Sequence, residues 1–211
     1  MCCMAKKSAR GAQPDRAAEI IDAALILAAR DGWRAVSLAA IADQAGITVL
    51  QLYAVCASKA AILDAFHRRV DQAVLAGADR EGDERPRDRL FDTIMRRFDA
   101  LAPHKAAVRA ILRDAGSDPL AALCGVPALL NSMAWMLEVS GVSASGWLGG
   151  ARVKLLLGIY FLVLRVWLAD DSADMTRTMA TLDTRLRQAE RWLGLAVVDA
   201  SIPGTQAAAK A

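Results

Sequence analysis

The side chains best suited to hydrogen bonding with a partner are concentrated in one short stretch, from Ser37 to Lys59. Hydroxyl, amide and ammonium groups recur there among small apolar residues. Thr48 and Ser58 each precede a helical pattern, where a hydroxyl can accept a hydrogen bond from a free backbone amide. The stretch therefore predicts short helices whose N-termini are capped and whose polar groups lie at a surface.

Two short helices joined by a tight turn are the elements that would position these side chains. Leu38, Ile41 and Ala42 recur at helical spacing, and Gly46 supplies the positive φ that such a turn needs. The second helix, over residues 48–53, would project its first residues outward, as the reading helix of a DNA-binding helix-turn-helix does. An ordinary helical hairpin within an all-α core has the same pattern.

The flanking residues help to distinguish these two interpretations. Upstream, a helix with Ile20 and Leu27 on one face ends at Asp31-Gly32, and downstream Ser58 begins another helix. In order and spacing the chain resembles the TetR family of transcriptional regulators, through Ala24, Leu27, Gly32, Ile41, Ala42, Ala45, Gly46, Leu52, Tyr53, Ser58 and Lys59.

The resemblance implies a surface that binds double-stranded DNA. Thr48 would contact a phosphate or a base edge, and Gln51 would pair bidentately with adenine. Tyr53 and Lys59 would contact phosphates, Lys59 beside a helix N-terminus. The full set of implied DNA-binding residues is Ser37, Thr48, Val49, Leu50, Gln51, Tyr53 and Lys59.

Four positions depart from the pattern of that family. Val49 and Leu50 stand where polar readers are common, although either can touch a thymine methyl group. Cys56 replaces the usual aromatic residue, and Ala60 replaces an acidic residue. These departures leave the predicted fold intact and bear on the affinity for DNA.

No arrangement of residues predicts catalysis, a metal site or a cofactor. Catalytic triads, paired carboxylates and phosphate-binding glycine loops are missing from the sequence. His67 and His104 fall on the polar sides of predicted helices, where we expect them to be solvated. The four cysteines lack metal-ligand spacing: Cys2, Cys3, Cys56 and Cys124.

Composition predicts an all-α protein, because 55% of the 211 residues are hydrophobic and only 5% are aromatic, so Ala and Leu predominate. The resemblance implies a TetR-like architecture, in which a small three-helix domain is joined by a long fourth helix to a larger helical domain. The net charge of +3 permits DNA binding without arguing for it. The predicted divisions are a disordered basic tail over 1–13, a helix-turn-helix domain over 14–76, a linker over 77–88, a ligand-binding and dimerisation domain over 89–194 and a disordered tail over 195–211.

The second domain is expected to contain about five helices. Its Pro119–Val139 segment would form one or two helices broken near Pro127, and the Gly/Ser-rich 141–150 segment would form a loop. The other predicted helices span 87–101, 105–114, 152–169 and 175–193.

Several apolar side chains of the second domain could surround a hydrophobic small molecule or a lipid. Each of them alone is better explained as core, and only as a group do they suggest a pocket. The candidate ligand-binding residues are Met95, Phe98, Leu112, Leu129, Met133, Trp135, Met136, Tyr160, Phe161, Leu164 and Trp167.

The TetR resemblance also implies a homodimer formed by the helices over 152–169 and 175–193. A two-fold dimer would place its two reading helices about one turn of DNA apart, or a multiple of it, and so would bind a palindromic operator. A ligand that favours another separation of those helices would release the DNA.

A second resemblance concerns the C-terminal half. From Trp147 onward the chain is similar to the COQ9 family, which shares the TetR fold but binds lipid and assists ubiquinone biosynthesis. The matching features are Ile159-Tyr160, Trp167-Leu168, Asp170-Asp171-Ser172, Thr178, Leu182 and Arg185. We rank the DNA-binding regulator first and keep the lipid-binding accessory protein as the alternative.

Neither long apolar segment is expected to insert stably into a membrane. The segment from Pro119 to Leu137 has no charged residue, but Gly125, Pro127 and Asn131 interrupt it. The N-terminus has no apolar run typical of a signal peptide. We therefore expect a cytoplasmic protein.

Overall fold

The structure, a computed structural model, describes residues 12–77, 84–116, 119–172, 174–193 and 195. The regular structure of these residues is entirely helical, which confirms the all-α prediction. A short 3-10 helix, Ala102–His104, separates the fifth and sixth α-helices. The α-helices are α1 (Ala12–Asp31), α2 (Leu38–Gln44), α3 (Val49–Val55), α4 (Lys59–Ala76), α5 (Pro86–Leu101), α6 (Lys105–Ala115), α7 (Pro119–Val139), α8 (Gly146–Ala169) and α9 (Thr176–Leu193).

The first three helices and the start of α4 form a small core. Ile20, Ile41, Leu52 and Ile62 are at most 1% exposed, so each of the four helices buries at least one large side chain there. Cys56 ends α3 and is also buried, and its burial raises the pKa of the thiol. Cys56 stands where the TetR pattern usually has an aromatic residue, and the core accommodates the cysteine at this position.

Helix α6 supports this small core from the second half of the chain. It packs along α1, and the Asp114 carboxylate accepts a hydrogen bond from the Arg34 backbone amide at 2.8 Å. Arg69 of α4 donates to Asp22 of α1 at 2.7 Å and lies 3.3 Å from His104 Nε2. The N-terminal domain is thus attached to the rest of the protein through α6 as well as through α4.

The second core lies between α4, α5, α7, α8 and α9. Phe98 of α5 stacks on Tyr160 of α8, with ring centroids 5.6 Å apart, and contacts Trp167 at 5.5 Å. Met133 and Met136 of α7 are buried with them. The polypeptide between α8 and α9 is held by Asp170, whose carboxylate accepts hydrogen bonds from Ser172 Oγ at 2.5 Å and from Thr178 Oγ1 at 2.8 Å. These bonds lower the pKa of Asp170.

Several predicted boundaries need correction. The predicted loop over 141–150 ends early, because Gly146 and Gly149 belong to α8. Gly149 lies so close to the Ala144 backbone that a Cβ there would be 2.1 Å from the Ala144 carbonyl carbon. Glycine therefore marks a close approach of backbone rather than a flexible segment. Helix α7 is continuous through Pro127.

The ends of the predicted domains also differ. Helix α1 begins at Ala12 and α5 at Pro86, so parts of the predicted tail and linker are helical. Leu195 is 1% exposed and its amide donates to the Glu190 carbonyl, although we predicted a disordered tail from that residue. The remainder of these predicted segments, over 1–11, 78–83 and 196–211, lies outside the described residues.

Candidate nucleic-acid interface

The turn between α2 and α3 has the geometry of a helix-turn-helix. The two helices meet at 102°, within the range of this motif. Gly46 has a φ of +66°, and the Ile47 amide donates to the Ala42 carbonyl at 3.0 Å. The predicted role of Gly46 in the turn is therefore confirmed.

Hydroxyl caps fix the start of each helix in this region. Ser37 Oγ accepts a hydrogen bond from the Ala40 amide, and Ser58 Oγ accepts one from the Ala61 amide, both at 3.1 Å. Each hydroxyl uses its oxygen as an acceptor, so its own hydrogen remains a donor. The N-terminus of α4 has no acidic residue in its first turn, which leaves its positive dipole uncompensated by a carboxylate.

A reciprocal pair of hydrogen bonds caps α3. Thr48 Oγ1 accepts from the Gln51 amide at 3.2 Å, and Gln51 Oε1 accepts from the Thr48 amide at 2.9 Å. Bidentate pairing with adenine needs both the oxygen and the nitrogen of the Gln51 side chain. In this structure that oxygen accepts the hydrogen bond of the capping box, so a bidentate pair with adenine would have to share or replace the cap, and the role of Gln51 stays a prediction.

The exposed face of α3 is apolar apart from one phenol. Val49, Leu50 and Tyr53 are 51%, 77% and 65% exposed, whereas Leu52 on the opposite side is 1% exposed. Helices α2 and α3 together carry a single charged residue, Asp43. This face can therefore contact thymine methyl groups and donate one phenolic hydrogen bond, but it offers no ion pair to a phosphate.

Lys59 is directed toward the protein. Its ammonium donates to the carbonyls of Trp33 and Val36 at 2.6 and 2.7 Å and lies 4.6 Å from the centroid of the Trp33 ring. Burial lowers the pKa of this ammonium. Two of its three N–H donors thus hold the α1–α2 connection against α4. Trp33 is partly buried and packs on the hydrophobic core.

Most of the predicted ligand-binding residues lie in or against the second core. Met95, Leu112, Leu129 and Phe161 are partly buried against the hydrophobic core of the protein, Leu112 on α6, whereas Trp135 is 51% exposed and lies outside that core. The six buried members are Phe98, Met133, Met136, Tyr160, Leu164 and Trp167. A separate cavity of about 230 Å³ lies between α5 and α9 and is lined by Arg87, Asp88, Phe91, Asp92, Asp183 and Leu186.

A buried polar cluster inside the second core was missed by sequence reasoning. The Arg97 guanidinium forms an ion pair with Asp71 and donates to the Tyr160 hydroxyl at 3.3 Å, and Ser132 Oγ donates to Asp71 Oδ2 at 2.6 Å. Arg97 and Asp71 each lie on a helix that is amphipathic in sequence, so both suggested ordinary surface charges. Only the packing of α4 against α5 brings them together.

His67 lies beside this cluster, and the prediction that it is solvated is wrong. Its Nδ1 atom is buried without a hydrogen-bond partner. Burial, reinforced by the nearby Arg97 charge, lowers the pKa of His67 to about 4. His104 is also partly buried, and burial together with Arg69 lowers its pKa.

Helices α2 and α3 are joined by a tight turn, and α3 is exposed. This arrangement is a helix-turn-helix, and here it is attached to a larger helical domain. Residues 20–66 match the family of bacterial regulatory proteins called the tetR family. No curated protein matches the chain significantly.

Solved structures of TetR regulators share the fold over most of the chain. A TetR transcriptional regulator from Nitrosomonas europaea ATCC 19718 superimposes with a TM-score of 0.68 at 24% identity, covering 83% of this chain and 98% of that one. One from Rhodococcus sp. RHA1 gives 0.55 at 20% identity, with 82% and 97% covered. A Streptomyces coelicolor regulator gives 0.56 at 17% identity, with 86% of both chains covered.

The chain therefore has the N-terminal domain and the overall fold of a TetR-family transcriptional regulator. The resemblance of the C-terminal half to the COQ9 family is not supported by these matches. Asp170, Ser172 and Thr178, which contributed to that resemblance, form the hydrogen bonds that hold the α8–α9 connection. Among the described residues no single helix is long and apolar enough to cross a membrane, and α2 with α3 meets those criteria only as a pair bent by 102°.

Proposed function

We propose that this protein is a homodimeric transcriptional regulator that binds a palindromic operator through α3 and releases it when an apolar ligand enters the second domain. The observation that carries the proposal is α3, whose N-terminus is fixed by a reciprocal capping box and which exposes Val49, Leu50 and Tyr53. Large apolar side chains that are more than half exposed on a short helix favour a partner surface at this position.

The chemistry of α3 suggests which DNA it reads. Val49 and Leu50 would contact thymine methyl groups in the major groove, and Tyr53 would donate to a phosphate. The hydroxyl groups of Ser37 and Thr48 can still donate their hydrogen to the phosphate backbone of the DNA. The first amides of α4, beside Ser58, offer a further phosphate site. We therefore propose half-sites that contain adjacent A·T pairs at the centre of the contact.

A second copy of the chain is proposed to pack on α8. Leu148, Leu155 and Leu162 follow one another at seven-residue intervals and are 50%, 36% and 48% exposed. Ala151 and Gly158 lie between them on the same side and are also exposed, so another helix can approach closely. Trp192 of α9, 75% exposed, would extend this surface. We divide the chain accordingly into a reading domain up to α4 and a ligand-binding and dimerisation domain from α5.

A test of DNA recognition starts with selection of duplexes from a random pool by the purified protein. Binding of the selected duplex is then measured by fluorescence anisotropy for Leu50→Ala and Tyr53→Ala. Each of these two substitutions should weaken DNA binding by about tenfold, because each removes one base or phosphate contact worth about 1–3 kcal/mol. The matched control is Ile26→Ala, which removes a 54% exposed apolar side chain from α1 in the same domain.

The outcomes separate reading from general attraction to DNA. A two-fold symmetric selected sequence, bound more weakly by both α3 variants and equally well by Ile26→Ala, would support the proposal. The proposal would be contradicted if the selection enriched no particular sequence. It would also be contradicted if the wild type and the three variants bound the selected duplex equally well. A steep loss of affinity with salt would add that phosphates contribute to the complex.

A further inference from the structure

The core of the second domain contains one arginine whose side chain is 1% exposed. Placing a guanidinium in an apolar interior costs several kcal/mol unless an anion pairs with it. Here that anion is the Asp71 carboxylate, which also accepts from Ser132 Oγ at 2.6 Å. The cluster joins α4, α5, α7 and α8, because Tyr160 accepts a further hydrogen bond from Arg97.

The two members of the ion pair differ in their access to water. The Asp71 side chain is 16% exposed, whereas that of Arg97 is 1% exposed. A displaced Asp71 can therefore rotate toward solvent and be hydrated. Arg97 cannot, and must always have an anion beside it. This asymmetry makes Asp71 the replaceable member of the pair.

The surroundings of Arg97 favour a ligand with one charged end and one apolar end. Phe98 stacks on the ring of Tyr160, which is hydrogen-bonded to Arg97, and it also contacts Trp167. The unbranched Met133 and Met136 are buried on α7, the helix that carries Ser132 of the cluster. Methionine side chains can change conformation to make room for an apolar body. His67, one helical turn before Asp71, adds a buried Nδ1 without a partner, so the cluster has an unused hydrogen-bonding group.

We propose that this cluster binds the carboxylate of an amphipathic organic acid, which replaces Asp71 as the partner of Arg97. The proposal rests on the proposed function, since it names the ligand class of the regulator. A guanidinium pairs with a carboxylate through two parallel hydrogen bonds, and an alcohol or an amine cannot replace that partner. The apolar body of the acid lies against Phe98, Met133 and Trp167.

Replacement of Asp71 removes the ion pair and the Ser132 hydrogen bond that tie α4 to α5 and α7 in the second core. Asp71 lies on the same continuous helix as Ile62 and Phe66, which belong to the core that α4 shares with the reading domain. The ion pair is therefore a direct link between the ligand and the orientation of α3. An acid that breaks the link allows α4 to move, and the spacing of the two reading helices in the dimer changes with it.

The test measures binding of hexanoate, octanoate, decanoate and 3-phenylpropanoate, each beside its primary alcohol, by calorimetry and by the fluorescence of the protein at neutral pH. At least one acid should bind at least tenfold more tightly than its alcohol. Arg97→Met should abolish this preference, and Arg97→Lys, which keeps the charge without the fork, should retain part of it. Arg68→Met is the control, because it removes an arginine of α4 that is ion-paired to Asp64 at the surface.

A second variant keeps the proposal testable if Arg97→Met does not fold. Asp71→Asn removes the competing carboxylate, so the acid should bind more tightly and raise the thermal unfolding temperature more than in the wild type. Equal binding of acids and alcohols, or unchanged acid binding in the Arg97 and Asp71 variants, would overturn the proposal.

The two proposals fail in different ways. Selective DNA binding without a preference for acids would leave the regulator intact and refute the carboxylate site. Acid binding that depends on Arg97, in a protein that selects no DNA, would establish the site and refute the regulator. An acid that binds through Arg97 and also lowers the affinity for the selected duplex would support both.

Discussion

Gly46 sets the direction in which α3 leaves α2. Its φ of +66° lies in the left-handed region, while a Cβ at this position would meet nothing within 4 Å. The requirement for glycine is therefore conformational and does not come from crowding. It acts on the one turn that presents Val49, Leu50 and Tyr53.

We expect Gly46→Ala to lower the free energy of unfolding by about 1–2 kcal/mol, because an alanine in the left-handed region costs that amount. Gly46→Asn should cost less, since asparagine tolerates this conformation. Urea unfolding followed by circular dichroism measures both. Equal losses for the two variants would show that φ is not the origin of the effect.

Lys59 has two proposed roles, one in stabilising the fold and one in contacting a DNA phosphate, and a single variant can distinguish them. Its ammonium holds two backbone carbonyls, so Lys59→Met should lower the free energy of unfolding by about 1–3 kcal/mol through two unsatisfied acceptors. A lysine that served only as a phosphate contact would weaken DNA binding and leave stability unchanged. Unfolding and DNA affinity should therefore be measured on the same variant, with the exposed Arg68→Met as the control for loss of charge.

At the scale of the element, α4 is the helix that belongs to both cores. Ile62 and Phe66 face the first core, and His67, Val70, Asp71 and Val74 face the second. Because one continuous helix buries side chains in both cores, a shift of α4 in one core would displace its residues in the other. The polar contacts of α4 in the second core are consequently the places where its position can be altered.

The burial of His67 predicts that stability falls at acidic pH. The pKa of His67 is about 4 in the folded protein, against 6.5 for an ordinary histidine. The unfolded chain therefore takes up a proton between these values while the folded protein does not, so stability present above pH 6.5 is lost as the pH falls toward 4. Arg97 opposes protonation of His67, and Asp71 and Asp64 favour it.

This loss should reach about 3 kcal/mol, at 1.36 kcal/mol for each unit of pKa difference. It can be measured by urea unfolding over that pH range in the wild type, His67→Gln and His104→Gln, since the chain has only two histidines. His67→Gln should remove most of the decrease, and His104→Gln a smaller part. An unchanged profile in His67→Gln would exclude His67 as its source.

At the scale of the whole molecule, the exposed leucines of α8 form the surface on which we propose that a second copy packs. Leu155→Glu with Leu162→Glu should convert a dimer into a monomer, because two carboxylates facing their copies cannot be hydrated in a packed helical interface. Sedimentation velocity measures the mass, and Ile26→Glu on α1 is the matched control. The monomer should also bind a half-site and lose its preference for a palindrome. A wild-type monomer would refute the proposed interface.

Local signals in the sequence were sufficient for the reading domain. The caps Thr48 and Ser58, the turn at Gly46 and the apolar faces that contain Ile20 and Ile41 were all predicted and agree with the structure. Each depends on contacts within about four positions of the chain, or on the 3.6-residue period that tells which side of a helix is buried.

Only the tertiary structure decided which polar side chains turn inward. The ammonium of Lys59 meets carbonyls 26 and 23 positions away, and Arg97 meets Asp71 26 positions away. The angles and distances at which the helices pack determine which polar groups meet. Helical periodicity in the sequence contains no information about that packing geometry. The sequence by itself therefore determined the helices and the turn that presents α3. Packing determined that Lys59, His67 and Arg97 turn inward, because a long-range partner or burial site depends on how the helices meet: Lys59 and Arg97 find hydrogen-bond partners there, whereas His67 Nδ1 is buried without one.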